Sequence, residues 1–292
     1  MGDVLAGFHA AWEFESDSVL IRYERGIRTP KLFQALGERR VPLEAIEGVT
    51  LTPGRRGTVV LRAEPRAGAD PLIEAAAGQL KESGDPYRLV LPAERETLAE
   101  YYADELRALL TESGRTERYL VSPPEAPLQF KAYDGKASFD GKAVSFRWSW
   151  TGASSAKWKA GDQSFPVTDL GGVEWRSPEM FEGYLRLLPR DADASAAAAA
   201  APAVPQADQD PAAVVFGLGY GPVHESLPFA AAVLAAVRER GASAPVPVSV
   251  PAPRRDPADI AERIRHLGEL HQQGLVTDEE FSSKKAELLA EL

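Results

Sequence analysis

The 292-residue chain has no cysteine, two methionines and four histidines. Without a thiol it can form no disulfide framework, thiolate nucleophile, zinc finger or cysteine-ligated iron–sulfur cluster. Positive charge is also in deficit. Lys and Arg number 33 against 43 Asp and Glu, a net charge of −10, which argues against general nucleic-acid binding because that depends on clustered cations. Long apolar runs are missing too. The most apolar stretch, residues 227–237, ends at Arg238 and falls well short of the ~20 residues that a spanning helix needs. The first eleven residues combine neither a basic n-region nor a continuous apolar h-region, so no secretory signal is expected and the chain reads as cytoplasmic. Walker loops, G-x-S-x-G elbows and kinase motifs are absent, and a non-enzymatic protein is expected.

What is present is a pattern written twice. WEFESDSVLIRY, starting at Trp12, lies over ASFDGKAVSFRW, starting at Ala137, so that Phe14 meets Phe139, Val19 meets Val144 and Arg22 meets Arg147. VPLEAIEGVTLTP, from Val41, then lies over FPVTDLGGVEWRS, from Phe165, with Gly48-Val49 on Gly172-Val173. Arg62 meets Arg186, and Asp85-Pro86 meets Asp210-Pro211 after one residue of drift. Matches in the same order over so long a stretch mark a duplicated domain.

Each copy opens on period-2 alternation. Val144, Phe146, Trp148 and Trp150 alternate with polar residues, as in a half-buried strand. Asp140-Gly141 between two such runs is a type I′ hairpin signal. Short strands are expected around Val49, 59–61 and 89–91, and around Val173, 184–187 and 214–216. A helix closes each copy. Leu98, Tyr102, Leu106, Leu109 and Leu110 supply the apolar stripe behind Pro92, and Phe229, Val233, Leu234 and Val237 supply it behind Ser226. A bent antiparallel sheet with one open end, covered by one amphipathic helix, is the logic of a pleckstrin-homology-like barrel. The predicted fold is therefore mostly β with α: two tandem pleckstrin-homology-like barrels and a C-terminal helical hairpin. An open α+β sandwich is the competing topology. The boundaries are 8–113 for the first repeat, 128–240 for the second, 241–258 for a Pro-rich linker and 259–292 for the hairpin.

Between Pro65 and Pro86 lies an insertion in which Leu72, Ile73 and Leu80 suit the inner face of a short helix. Its counterpart between Pro189 and Pro211 carries six alanines and two further prolines, and a mobile loop is expected there. The linker should act as a stiff tether. In the hairpin, Ile260, Ile264, Leu267 and Leu270 make one stripe. Thr277 and Glu280 form a capping box, Val276 and Phe281 a hydrophobic staple, and Phe281, Leu288 and Leu292 continue the second stripe. Helices so short need a partner surface, and these eight apolar residues are the expected oligomerisation face.

Chemistry-bearing patterns are sparse. His266 and His271 are five apart and do not share a helix face as metal ligands would. GLGYG at 217–221 has the wrong spacing for a phosphate loop. No metal or cofactor is expected. Two features call for a functional reading beside a plain one. Arg22, Arg25, Arg28, Lys31, Arg39 and Arg40 crowd one segment and form a candidate anion-binding site, for lipid or an acidic peptide, whose plain alternative is a solvated loop. Trp148, Trp150 and Trp158 are a candidate partner surface, whose plain alternative is core packing.

Two resemblances follow from these residues. HQQGLVTDEEFSSKKAELL, within 259–292, closely resembles the prokaryotic short C-terminal domain, SHOCT. The two repeats resemble the actinobacterial domain of unknown function 4429 family through WEFESDSVLIRY, VPLEAIEGV and DPYRLVL in the first copy and ASFDGKAVSFRW, FPVTDLGGVEW and the Asp210-Pro211 segment in the second. The resemblance implies a fold like the bacterial pleckstrin-homology group, no catalytic residue to carry over, and oligomerisation or protein contacts through the SHOCT segment. The resulting expectation is a scaffold or adaptor that self-associates through its hairpin or binds an unidentified protein. It takes no nucleic acid. A peripheral membrane or anionic-ligand sensor using the basic segment is the alternative.

Overall fold

A computed structural model of the chain describes residues 3–180, 182–190 and 206–243. The linker and the hairpin, from residue 244 onward, and the Ala/Pro tract lie outside the described residues, and so do all eight hairpin positions named above. Chain contacts divide the molecule at Ser243, and both repeats fall within the first unit.

The described residues are mostly β with some helices. They form four antiparallel sheets, none closed into a barrel. In repeat 1, β1 (Asp3–Ala6), β2 (Ala10–Phe14), β3 (Ser18–Tyr23) and β4 (Glu38–Pro42) make a four-stranded sheet in sequence order. Helix α1 (Lys31–Leu36) interrupts the β3–β4 connection. A three-stranded sheet follows, from β5 (Ile46–Pro53), β6 (Thr58–Pro65) and β7 (Arg88–Pro92), with helix α2 (Pro71–Ala76) inserted between β6 and β7. Helix α3 (Glu96–Leu109) then packs on β5 and β6.

Repeat 2 runs the same course. Strands β8 (Leu128–Lys131), β9 (Gly135–Phe139), β10 (Ala143–Trp148) and β11 (Gln163–Pro166) form one sheet, with α4 (Ser155–Ala160) between β10 and β11. The strands β12 (Leu170–Arg176), β13 (Tyr184–Pro189) and β14 (Ala213–Val215) form the other, and α5 (Val223–Ser243) ends the unit. The duplication holds to the register. Phe14 faces Val19 as Phe139 faces Val144. The bulge between Ile46 and Gly48 recurs between Leu170 and Gly172. A backbone bond from Phe8 to Val90 joins the two sheets of repeat 1, and one from Tyr133 to Val215 joins those of repeat 2.

Three details differ from expectation. The hairpin at Asp140-Gly141 is not type I′. Asp140 N–H bonds the Ala143 carbonyl, Gly141 alone of the two central residues has positive φ (92°), and the turn is therefore II′-like. In α3, Leu98 and Leu109 are exposed while Ala99, Ala103 and Leu106 are buried. The small alanines face the sheet, Tyr102, Leu106 and Leu110 of the expected stripe pack on the core, and only Leu98 and Leu109 turn outward. In the second repeat, Ser226 lies inside the helix, which begins at Val223. Its Oγ donates to the Gly221 and Pro222 carbonyls and accepts from Trp175 Nε1 at 3.1 Å.

The two cores are unequal. In repeat 1, Trp12 and Ile21 from one sheet, Val49, Leu61 and Leu89 from the other, and Ala99 and Leu106 from α3 form one cluster. The cluster of repeat 2, around Phe146, Trp175, Leu185 and Phe229, also takes in Leu32 from α1 and Leu72, Ala75 and Ala76 from α2. Helix α5 is nearly all apolar along 227–237 because it is covered on both sides, by its own sheets and by α1 and α2 of repeat 1.

Candidate functional site

The seam between the repeats is built from polar anchors as well as apolar packing. Asp70 caps α2, accepting from Leu72 N–H at 2.8 Å, with Pro71 in the first turn. The same carboxylate accepts from Arg39 Nη2 at 2.8 Å and from Tyr87 OH at 2.7 Å. Asp70 and Arg39 are buried. Burial opposes the Arg39 charge, but Asp70 and the two nearby phenols reverse the balance and raise its pKa. Burial pushes the Tyr23 and Tyr87 phenols up. Across the seam, Arg238 of α5 grips Glu74 of α2 through both carboxylate oxygens (2.6 and 2.8 Å), donates to the Gly68 carbonyl and lies 3.8 Å over the Tyr119 ring. Gln79 adds a two-point bond to the end of β12, donating to the Trp175 carbonyl and accepting from Ser177 N–H, both at 2.9 Å.

Other charges are consumed in the same way, on the surface in repeat 1 and buried in repeat 2. Arg62 pairs with Asp85, and Arg186 with Asp210. These are the positions that superpose in the two copies, so that part of the repeat signature is an ion pair. In repeat 2, Lys157 stands where Phe33 stands in repeat 1. Phe33 stacks on Tyr23 at 4.8 Å, whereas Lys157 Nζ lies 4.9 Å over the Trp148 ring. All three Lys157 protons are used, by Asp134 (2.5 Å) and by the carbonyls of Ala207 (2.8 Å) and Ala213 (2.9 Å). Desolvation lowers the Lys157 pKa and raises that of Asp134, with the mutual attraction opposing both shifts. No sequence pattern links Asp134 to Lys157 or Arg39 to Asp70, because each pair is joined only by the sheet fold.

The six basic residues of the candidate anion site do not converge. Arg39 lies on the inner face of β4 and is an internal anchor, as the alternation of that strand requires. Arg22 is engaged by Glu13 at 2.5 Å and Glu38 at 3.7 Å, and Arg40 by Glu15 and Ser18. Arg25, Arg28 and Lys31 remain exposed, and none of them ion-pairs with a carboxylate among the described residues. The tryptophans separate as well. Trp148 is buried, with Nε1 donating to the Gly161 carbonyl at 2.7 Å. Strand β10 ends there, so the alternation stops before Trp150, which is 84% exposed and stands edge-on to the half-exposed Trp158 at 5.4 Å. Trp175 is buried.

A groove of about 850 Å³ opens along the seam, lined by Lys31, Leu80, Met180, Leu218, Tyr220 and His224 among others. Desolvation lowers the His224 pKa. Among the described residues no His, Asp and Glu side chains cluster in a way that would hold a metal ion, and no helix is long and apolar enough to cross a membrane.

Comparison with known families agrees with this duplicated geometry. A family model described as a domain of unknown function, DUF4429, matches residues 12–107 and again 137–234. A second, the short C-terminal domain SHOCT, matches residues 262–289. None of the curated proteins matches the chain.

Proposed function

We propose, starting from the fact that the chain belongs to the DUF4429 family and carries its domain twice ahead of a SHOCT segment, that this protein is a non-enzymatic cytoplasmic scaffold. In this reading each repeat is a pleckstrin-homology-like unit. Its support is the succession of a four-stranded sheet, a three-stranded sheet and a closing helix in both halves. The paired repeats present a partner-binding surface, and the SHOCT-like hairpin joins copies of the chain through its Pro-rich linker. Weak individual contacts then gain from effective concentration.

The observation that carries this reading is how the buried ionisable groups are employed. Arg39–Asp70, Lys157–Asp134 and Arg186–Asp210 are all spent on internal pairing, and the first of these orients the helix that joins the repeats. A molecule that spends its buried charges on pairs inside its own repeats is suited to presenting surface. Light scattering after size exclusion, on the full chain and on a chain truncated at Arg254, tests it. The full chain should run as an oligomer and the truncated one as a monomer. Two monomers, or two equal oligomers, would exclude the hairpin as the assembly element.

A further inference from the structure

We propose that the β3–α1 loop of repeat 1 and the β10–α4 loop of repeat 2 form one surface that enters the headgroup layer of an anionic lipid bilayer. The inference does not depend on the scaffold reading. The two loops occupy equivalent places in the duplicated fold, each between the third strand of its sheet and the short helix that follows. Each holds a large apolar side chain out in water. Ile27 is fully exposed at 105% of its reference area, and Trp150 is 84% exposed.

These exposures are built in. In the first loop Gln34 Nε2 ties back the Gly26 and Thr29 carbonyls, both at 2.9 Å, and Thr29 is buried, with its hydroxyl 3.3 Å from His9 Nδ1. Ile27 is thereby held at the tip. In the second loop Ser149 N–H bonds the Asp134 carbonyl at 2.8 Å. Gly152 sits so close to the backbone of Tyr133 that a Cβ there would fall 2.2 Å from its carbonyl oxygen. Trp150 is thereby turned outward against Trp158.

The loops are joined by a strip of the same character. Tyr133, beside the second loop, meets Tyr220 edge-on at 6.3 Å. Tyr220 and the fully exposed Leu218 line the same groove as Pro30 and Lys31 at the end of the first loop. Tryptophan and tyrosine favour the membrane–water interface, where an apolar ring body and a polar edge are both satisfied. Around them stand Arg25, Arg28 and Lys31 on one side and Arg147 and Lys159 on the other, all exposed. The carboxylates flanking these cations are Glu24, beside Arg25, and Asp162, which follows α4 and lies 3.5 Å from Arg147, while Glu179 and Glu182 line the groove between the loops, with Glu179 3.2 Å from Lys81. Counted with their flanks, the first loop sets Arg25, Arg28 and Lys31 against Glu24, and the second sets the exposed Arg147 and Lys159 against Asp162, a positive balance at both in a chain of net charge −10. Apolar tips flanked by cations fit an anionic lipid surface, where each Lys or Arg strengthens attachment.

The test is sedimentation of the full chain with sucrose-loaded vesicles of phosphatidylcholine alone or mixed equally with phosphatidylglycerol. The chain should pellet with the anionic vesicles, weakly with the neutral ones, and less as salt rises. The double variant Ile27→Ser/Trp150→Ser should weaken partition roughly tenfold or more. Arg25→Ala and Arg28→Ala should each weaken it about fivefold. Because the altered side chains are exposed, thermal melting should not move. Arg55→Ala/Arg56→Ala, at the exposed β5–β6 turn, is the charge control and should leave binding unchanged. No pelleting with anionic vesicles would overturn the proposal, as would loss in the control equal to loss in the loop variants.

Discussion

If Asp70 is the pin that sets α2 against α5, removing its counter-charge should weaken both repeats together. Arg39→Met keeps most of the side-chain volume and deletes the cation. Asp70 is then left with Tyr87 OH and the Leu72 N–H as partners, at a site with no solvent exposure of the carboxylate. Breaking a buried pair from one side costs about 3–5 kcal/mol. Asp70→Ala also removes the cap of α2, about 1 kcal/mol more, and strands a guanidinium whose side chain is 5% exposed. In Arg39→Met/Asp70→Asn no ion is left unpaired, and Asn Oδ1 still caps the helix while its amide nitrogen, in place of the second oxygen, donates to the Tyr87 hydroxyl. The double variant should therefore lose at least ~2 kcal/mol less than the sum of Arg39→Met and Asp70→Asn. Urea unfolding of the full chain, followed by tryptophan fluorescence and circular dichroism, measures these terms. Trp12 lies in the core of repeat 1 and Trp148 and Trp175 in that of repeat 2, so one coincident transition by both probes is expected. A cost below ~1 kcal/mol for Arg39→Met, or strict additivity of the two single changes, would refute the anchoring role.

Lys157→Met should also cost about 3–5 kcal/mol by stranding Asp134. Asp134 has its folded pKa raised above 3.8, so its share of stability is full below 3.8 and lost as pH climbs through the raised value. The variant should steepen that loss between mildly acidic and neutral pH, and parallel pH profiles of urea midpoints for the two proteins would contradict this. Iodide should quench Trp150 strongly and Trp158 partly while sparing Trp12, Trp148 and Trp175. Trp150→Phe should then remove most of the quenchable signal, and an unchanged quenching curve would place the exposed indole elsewhere.

Much of the fold is readable along the chain because two physical periodicities are strong in it. Alternation marks β3 and β10, and the repeat spacing carries every strand of one three-stranded sheet onto the other. The segments alternation does not mark are the outer strands β1, β4, β8 and β11, with sequences DVLA, ERRVP, LQFK and QSFP. Each has only four or five residues, too few for alternation to stand out in the sequence. Helical spacing finds α3 and the inward Tyr102, Leu106 and Leu110, but misses Ala99 and Ala103, which carry little hydrophobic signal and yet are fully buried. The short helix expected in the first insertion is present, with Leu72 buried, although nothing in its sequence says that its cover is the last helix of the other repeat.

The surface residues were partly visible and for a definable reason. A cluster of basic residues is easy to see in a sequence. Which of them a carboxylate neutralises depends on pairings such as Arg22 with Glu13, made across adjacent strands. Ile27 carries no signal of its own, because an isolated isoleucine in a polar loop reads the same whether it folds inward or points out. Only the bonds from Gln34 to the loop carbonyls decide the matter.

The sharing of α5 has a consequence for the order in which the molecule can be made. Leu32 and Leu72 are translated early, yet the helix that shields them from water is the final element of the folded unit. A growing chain therefore carries an uncovered apolar face throughout synthesis of the second half, and a message cut short before residue 223 would yield a product with that face permanently open. The duplicated halves are in this way unable to part company, since a cut between them would open the core that α5 closes over Leu32 and Leu72.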